Sequence, residues 1–494
     1  MAVETFLTVY KNLIASDMTQ GWQLSAGHYE PSRFSLEIIA PRAGLTTENV
    51  YYVAYPGLRY RLPVSVIGGA WPYFYEITSG PVGLTIGASY GNANYGIMEW
   101  TTPTTGTHSV TLRVTDQGGN QTTVTYTINC GTSYFIFVDA VSGNDGTADG
   151  TISLPYKTNV GWYGGTTTAA RDSISPHAGK TIIYRSGTYV FSDCYVDPAV
   201  SACVLIGGKK PINYTAYPGE SVSLDLSTAS LSTTAQTSLI GFAHIIPRSS
   251  TINTGANILG WDSGVTDHVI FENTVDTGTG IVASNASFFF SRNNNPSRSS
   301  CISIISNIFN GSGNSDLMLG YFCDKLLFAD NTISSNSWHG AYAKYDCNYW
   351  SIRNNAGLTT NSGSLLNVSD YGPITYLHLS YNNYKSTGSG MDYVLGNSAS
   401  LQVTNIFSGR NTWQILNHNS QNQDINPITI NNDVMVYTDA TANAHGWLLS
   451  TSVITGTYNG EECVGLNGTF VTASGVLTGT YRTNYLGTRG HEIS

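Results

Sequence analysis

The sequence predicts an all-β chain in two parts: a sandwich of short antiparallel strands, then a long solenoid of stacked coils. Two observations carry the prediction. Alternating strands punctuated by turn residues fill about 46 to 130, and beyond them an apolar phrase ending in Asn recurs at nearly constant spacing. Composition agrees, because charged residues are only 11% of the chain against an ordinary value of about 25%, leaving Ser, Thr, Asn, Gly and Tyr to build the surface.

Residues 1–45 hold one amphipathic stretch, FLTVYKNLI, followed by irregular polar sequence, and are expected to be an N-terminal attachment segment. From 46 to 130 the phrases YRLPVSVIGG, PYFYEITSGPVGLTIG, YGIMEWTTP and THSVTLRVTDQGGNQTTVTYTINC alternate with period two between Gly, Pro and Asn, which predicts a β-sandwich. From 131 to 494 the solenoid takes over. Its phrase ends on Asn273, Asn307, Asn331, Asn355, Asn382, Asn405 and Asn432, a nearly even spacing after one longer first gap. A period in the range of about 20 to 50 residues marks a stacked array. The recurring Asn is expected at a turn, in left-handed geometry or hydrogen-bonded to its neighbours along the stack. The long first gap predicts a loop inserted at 287–300.

Net charge of −10 and a pI near 5.4 argue against nucleic acid, whose phosphates require a basic face. A surface rich in hydroxyl, amide and aromatic groups suits a carbohydrate, although solenoid surfaces share that character without any ligand. Seven cysteines cannot all pair with one another, and Cys323 and Cys347, one repeat apart, are expected to stack as buried thiols. A bridge between Cys194 and Cys203 stays open. No Cys-x-x-Cys spacing calls for zinc, and no cofactor or metal is expected. The turn bearing Asp139, Asn144, Asp145 and Asp149 lacks the spacing of a calcium loop and reads as side-chain capping. The start of the chain lacks a basic segment and an apolar core, and no run approaches the ~18 apolar residues of a membrane span. Synthesis in a cytoplasm without a signal peptide is therefore expected.

A second column gives the candidate chemistry. Asp324, Asp346 and Asp370 follow one another at about the repeat spacing and continue as Asn397 and Asn419. Carboxylates one coil apart would repel and raise one another's pKa, and an acid beside a base or nucleophile is what glycoside hydrolysis requires. As capping residues interchangeable with Asn, the same positions need no chemistry. Beside them lies WHGAYAKYD, 338–346, in which Tyr342, Lys344 and Asp346 share one strand face. The catalytic candidates are Asp346, Asp370 and Lys344; the substrate-binding candidates are Trp338, His339, Tyr342, Arg353, Tyr381 and Asp392. A lyase would instead use Lys344, Arg353 or His339 as base.

Two resemblances sharpen these expectations. The phrases of 46–130 resemble bacterial and phage Ig-like modules, in which PYxYxI, PxGLxI, WTxP and VTDxxGN follow in order. FIFVDAVSGNDGTADGTISLPYKT at 135–158, GKTIIYRSGTYVF, KPINYTAYPGESVSLDL and the closing TGTYRTNYLGTRGHEIS resemble right-handed single-stranded parallel β-helices of the pectate-lyase-like kind. The whole resembles a bacteriophage tail fibre or tailspike subunit. That resemblance implies a virion tail location, attachment to other tail proteins through the N-terminal segment, and recognition of a bacterial surface polysaccharide, often with its degradation. Many such proteins are homotrimers, but no coiled coil is legible here. A polysaccharide lyase or glycoside hydrolase on an acidic glycan, and a purely structural fibre spacer, are the competing readings.

Overall fold

The computed structural model describes residues 34–43, 52–158 and 180–190, and from 196 to 476 a succession of strand-bearing segments, with side chains described chiefly in 213–224, 267–275, 298–310, 317–333 and 340–357. Among the described residues every regular element is a β-strand except one 3-10 turn, Thr132–Tyr134.

In the first part, a four-stranded sheet is ordered Val53–Ala54, Gln121–Cys130, Gly106–Thr115, Phe74–Ser79, and a three-stranded sheet Tyr60–Pro63, Ile97–Trp100, Leu84–Ile86. Strand alternation builds the core. Val110, Leu112 and Val114 are buried, each separated by a part-exposed residue, and they join Trp71, Tyr73, Tyr75 and Trp100. The turn after Gly106–Thr115 is closed by Asp116, whose carboxylate accepts the N–H groups of Asn120 and Ala70, while Gly119 supplies the positive φ of +84°. Strand Glu37–Ala40, inside the segment expected to serve for attachment, pairs antiparallel with Ser65–Ile67.

From Phe135 to Tyr437 the strands form three parallel sheets of 12, 10 and 7 strands, with Val196–Asp197 and Ala202–Cys203 a separate antiparallel pair. The chain visits them in rotation: Ser299–Ile305 in the largest, Ile308–Asn310 in the second, Ser315–Tyr321 in the third, then Cys323–Ala329 one step up in the largest. Within the long first gap, Ala286–Ser291 is a regular strand of the seven-stranded sheet, paired with Ser315–Gly320. The loop expected at 287–300 is thus replaced at its start by strand, because SFFFS supplies strand-forming aromatics at the height of the next coil. The parallel stack extends to Val434–Tyr437; after it, Ile454–Tyr458, Glu461–Leu466, Thr469–Thr472 and Gly475–Val476 form an antiparallel sheet. The predicted closing coil, 478–494, lies outside the described residues.

The recurring Asn is a buried ladder. Asn307 donates its backbone N–H and its Nδ2 to Asn331 Oδ1 at 3.0 and 3.1 Å, and Asn331 repeats the pattern onto Asn355 Oδ1 at 3.0 Å for both. Asn273 and Asn355 continue it in the two directions, the latter onto Asn382. The left-handed residue is not the Asn but its predecessor: Glu272, Ser306, Asp330 and Asn354 have φ of 52°, 56°, 59° and 51°. That corner lets each following Asn point inward and bond along the stack. Asn405 falls in mid-strand within Gln402–Gly409, off the ladder, and Asn432 lies outside the described residues. Cys301, Cys323 and Cys347 are buried free thiols, as expected of Cys323 and Cys347; the side chains of Cys194 and Cys203 lie outside the described residues.

The sandwich is fastened along the outer face of the largest sheet. Val269, Phe271, Cys301, Ile305, Leu327 and Ala329 belong to the sandwich's own apolar core, whereas their neighbours Ile270, Ile304, Phe328 and Ile352 stack in register on the opposite face, where Phe309 from the second sheet lies parallel to Phe328. Burial on both faces explains why these strands read as unbroken apolar runs such as LLFA rather than as alternation. A second left-handed column, Asp267, Cys301, Lys325, Tyr349 and Tyr376 with φ of 64°, 57°, 54°, 60° and 64°, forms the seam. Its members meet the segment before the sandwich: Asp267 pairs with Arg42 at 2.6 Å, Lys325 with Glu37 at 2.6 Å, and the stacked rings of Tyr349 and Tyr376 receive the edge of Phe34. Such φ values are uncommon for Lys, Tyr and Cys, and their recurrence on successive coils makes them architectural rather than local strain.

Candidate functional site

The carboxylate column is reshaped by register. Asp324 lies opposite Asn348, so Asp346 comes early in its coil and sits in the turn before strand Cys347–Arg353. The interval from Asp324 to Asp346 is shorter than a full coil for this reason. The two carboxylates are nevertheless brought together by Arg298, which precedes strand Ser299–Ile305 one coil below. Its Nε and Nη2 both bind the Asp324 carboxylate, the latter at 2.6 Å, and its Nη1 reaches Asp346 Oδ2 at 2.7 Å. Nη2 also donates to the Asp346 carbonyl at 2.7 Å. Asn348 Nδ2 completes the cluster, donating to Asp324 Oδ1 at 3.0 Å and Asp346 Oδ1 at 3.3 Å.

The electrostatics follow. Hydrogen bonding to Asp324 raises the Arg298 pKa, against partial burial, with the charges of both aspartates adding to it. The expected mutual repulsion of the carboxylates is therefore answered by an interposed cation. Their roles differ: Asp324 takes two arms of the guanidinium and is 20% exposed at its side chain, whereas the Asp346 carboxylate meets the guanidinium through one oxygen and is 43% exposed. Asp346 is the more available group. Sequence reasoning misses Arg298; its signal is an arginine opening a strand about one coil before an aspartate.

Lys344 and Tyr342 lie in strand Ala341–Lys344 of the seven-stranded sheet, opposite Tyr321 and Leu319 on one side and Ser369 and Asn367 on the other. Their alternates Ala341 and Ala343 are buried. The side chains of Lys344 and Tyr342, and the residues Trp338, His339, Asp370, Tyr381 and Asp392, lie outside what the structure describes.

Arg353 does not belong to a binding surface. It is 3% exposed beneath the sandwich, donates to the Val66 carbonyl at 3.1 Å and lies over the Tyr73 ring at 5.2 Å. Burial disfavours its charge, but Tyr73, Tyr75 and Asp330 outweigh that and hold its pKa above the ordinary value. His378, on the same sheet, is fully buried as well. Strand period identifies these side chains as sharing a face, but not that another domain covers it. The turn at 139–149 is capped as expected: Asp139 accepts from Val141 and Ser142, Asn144 from Gly146, Asp149 from Thr151, and Asp145 from Lys157 and Thr158.

No protein-family pattern and no curated protein sequence matches the chain. Among solved structures it is similar to a rhamnogalacturonan lyase, at 14% identity with a TM-score of 0.32 over 63% of this chain and 84% of that one. It is also similar to the Family 28 exopolygalacturonase of Yersinia enterocolitica, at 9% identity with a TM-score of 0.39 over 83% of this chain and 97% of that one. Both are named as polysaccharide-degrading enzymes, and at these scores neither likeness extends to a site.

Proposed function

We propose that the chain is a polysaccharide-acting protein: a right-handed, single-stranded parallel β-helix with an Ig-like sandwich on its flank, cleaving a glycan at the Arg298–Asp324–Asp346 edge. The observation that carries this reading is the pair of carboxylates from successive coils, one anchored and one half-exposed, gathered on one guanidinium. Glycoside hydrolysis needs two carboxyl groups within about 5 to 9.5 Å of each other, and groups sharing one arginine meet that requirement in kind. Asp346 and Asp324 are the reacting pair, Asp346 the more exposed of the two, and Arg298 positions both. Lys344 ends strand Ala341–Lys344, two residues before Asp346 in the chain.

The test is incubation of the full chain with a panel of acidic and neutral bacterial surface polysaccharides, following retention, new reducing ends and unsaturated sugar. Asp346→Asn is expected to lower chain shortening by at least about 100-fold, the usual range for a lost acid or base, while retention persists. Retention without shortening by the unaltered protein sinks the enzymatic part. Neither signal across the panel sinks the reading and favours a spacer, against which the flank-docked sandwich speaks, since it lengthens nothing. A phage tail setting, with a bacterial surface glycan as target and residues 1–45 as the attachment point, rests on the sequence resemblance alone; probing purified phage particles with an antibody to this chain tests it.

A further inference from the structure

We propose that a cleft of ≈ 190 Å³ between the sandwich and the first coils binds a single acidic sugar ring, its carboxylate on Arg59 and a hydroxyl donating to Asn213 Oδ1. The ligand class rests on the carbohydrate reading above, but the place is separate from the carboxylate edge and made of different residues. One wall is the sandwich segment 53–63; the other is the outer face of strands Phe135–Val138, Thr181–Tyr184 and Ile212–Ala216. The cleft exists only because the sandwich folds back on the stack.

Four features give it a ligand's chemistry. Asn213 Oδ1 is buried and accepts no hydrogen bond from the described residues, so it calls for a hydroxyl donor. Tyr55 is fixed edge-on against Phe135 and Phe137 at 5.5 and 5.2 Å, and Tyr217 is fixed beneath the Arg185 guanidinium at 4.5 Å, so both rings are rigid before a ligand arrives. Glu220, which also lines the cleft, is committed to Arg185 through 2.6 and 2.8 Å bonds and to the Ser186 N–H, so its charge is answered. Arg61 is spent on Glu272 and Asn94, whereas Arg59 is exposed at the rim and, among the described residues, feels only the field of Glu272. An available guanidinium, a hidden acceptor and two fixed rings fit a hydroxylated ring that carries a carboxylate. The volume admits one ring, not a chain.

The test is calorimetric titration of the full chain with glucuronate, glucose and acetate. Glucuronate is expected to bind at least tenfold more tightly than either of the others. Arg59→Ala should weaken glucuronate at least tenfold without moving the melting temperature, since Arg59 is exposed. No preference for glucuronate, or equal binding by Arg59→Ala, overturns the proposal. Asp346→Asn must leave the titration unchanged, and Arg59→Ala must leave polymer shortening unchanged. Arg59-dependent glucuronate binding in a protein that ignores every polymer would sustain the cleft and sink the polysaccharide reading; polymer shortening without glucuronate binding would do the reverse.

Discussion

Truncating one rung of the asparagine ladder should cost more than any surface change in the chain. Asn331 is fully buried and uses its amide completely: Oδ1 accepts the Asn307 N–H and Nδ2, and its Nδ2 donates to Asn355 Oδ1 and to the Ile304 carbonyl at 3.0 Å each. In Asn331→Ala, Asn307 Nδ2 keeps the Ile270 and Ile305 carbonyls, and Asn355 Oδ1 keeps the Asn331 backbone N–H. The Asn307 N–H loses its acceptor and the Ile304 carbonyl loses a donor. At about 1–3 kcal/mol for each buried group left unmatched, the variant should be less stable by roughly 2–6 kcal/mol. Urea unfolding followed by tryptophan fluorescence reads this as a lower midpoint. Asn331→Asp refines the test: one oxygen still serves Asn307, but the other faces two acceptors, so the carboxyl is held protonated with a raised pKa. Its stability deficit should therefore shrink as pH falls. A loss below about 1 kcal/mol in the alanine variant, the size of an ordinary surface change, would refute the idea that the ladder holds the coils in register.

Three further outcomes follow. His268 and His378 are wholly buried and pushed down to about 3 by burial, with Arg353 adding to the effect at His378. The unfolded chain takes up these protons near pH 6.5 and the folded chain does not, so stability is whole above that pH and drains at about 1.4 kcal/mol per unit per histidine below it; melting temperatures between pH 7 and 5 should flatten in His268→Gln/His378→Gln. Lys325→Glu should loosen the sandwich by about 0.5–1 kcal/mol, and Glu37→Lys in the same chain should restore it; a double-mutant cycle with no coupling would place the sandwich elsewhere in solution. Arg298→Ala, which leaves Asp324 and Asp346 facing each other, should cost only about 1 kcal/mol because all three groups are part-exposed, yet suppress chain shortening as strongly as Asp346→Asn; full activity would remove the edge as the reactive site.

What the sequence made legible is what repeats. The Asn phrase marked coil height, and the alternation of Val110, Leu112 and Val114 marked a two-layer core, because both arise from the pleat and the stacking distance alone. Three things escaped for physical reasons. Left-handed geometry falls on Glu272, Ser306, Asp330 and Asn354, residues of no common type, so it left no trace in composition. Arg298 meets Asp324 and Asp346 across coils of unequal length, and fixed spacing cannot align them. The antiparallel end departs from the parallel stack expected to reach 494: Tyr458 lies opposite Glu461 and Leu466 opposite Thr469, and the dipeptides Asn-Gly at 459–460 and 467–468, which favour hairpins, are the sequence signal that competes with the repeat.

The docked sandwich decides where a polymer can lie. A three-sheet stack offers three outer faces, and on the largest sheet the columns through Phe271, Ile305, Ala329 and Arg353 are buried against the sandwich, its seam closed by Arg42, Glu37 and Phe34. A polysaccharide running along these coils must use the other two faces or the edges between them. Arg298, Asp324 and Asp346 occupy such an edge, where the seven-stranded sheet hands the chain back to the largest one: Tyr321 ends a strand of the first and Cys323 begins a strand of the second. The same edge receives the chain from Ala341–Lys344 one coil later. Covering one face thus leaves the part-exposed carboxylate of Asp346 on an edge open to solvent, and it leaves Arg353 and His378, which share a strand face in the sequence, with a purely structural task.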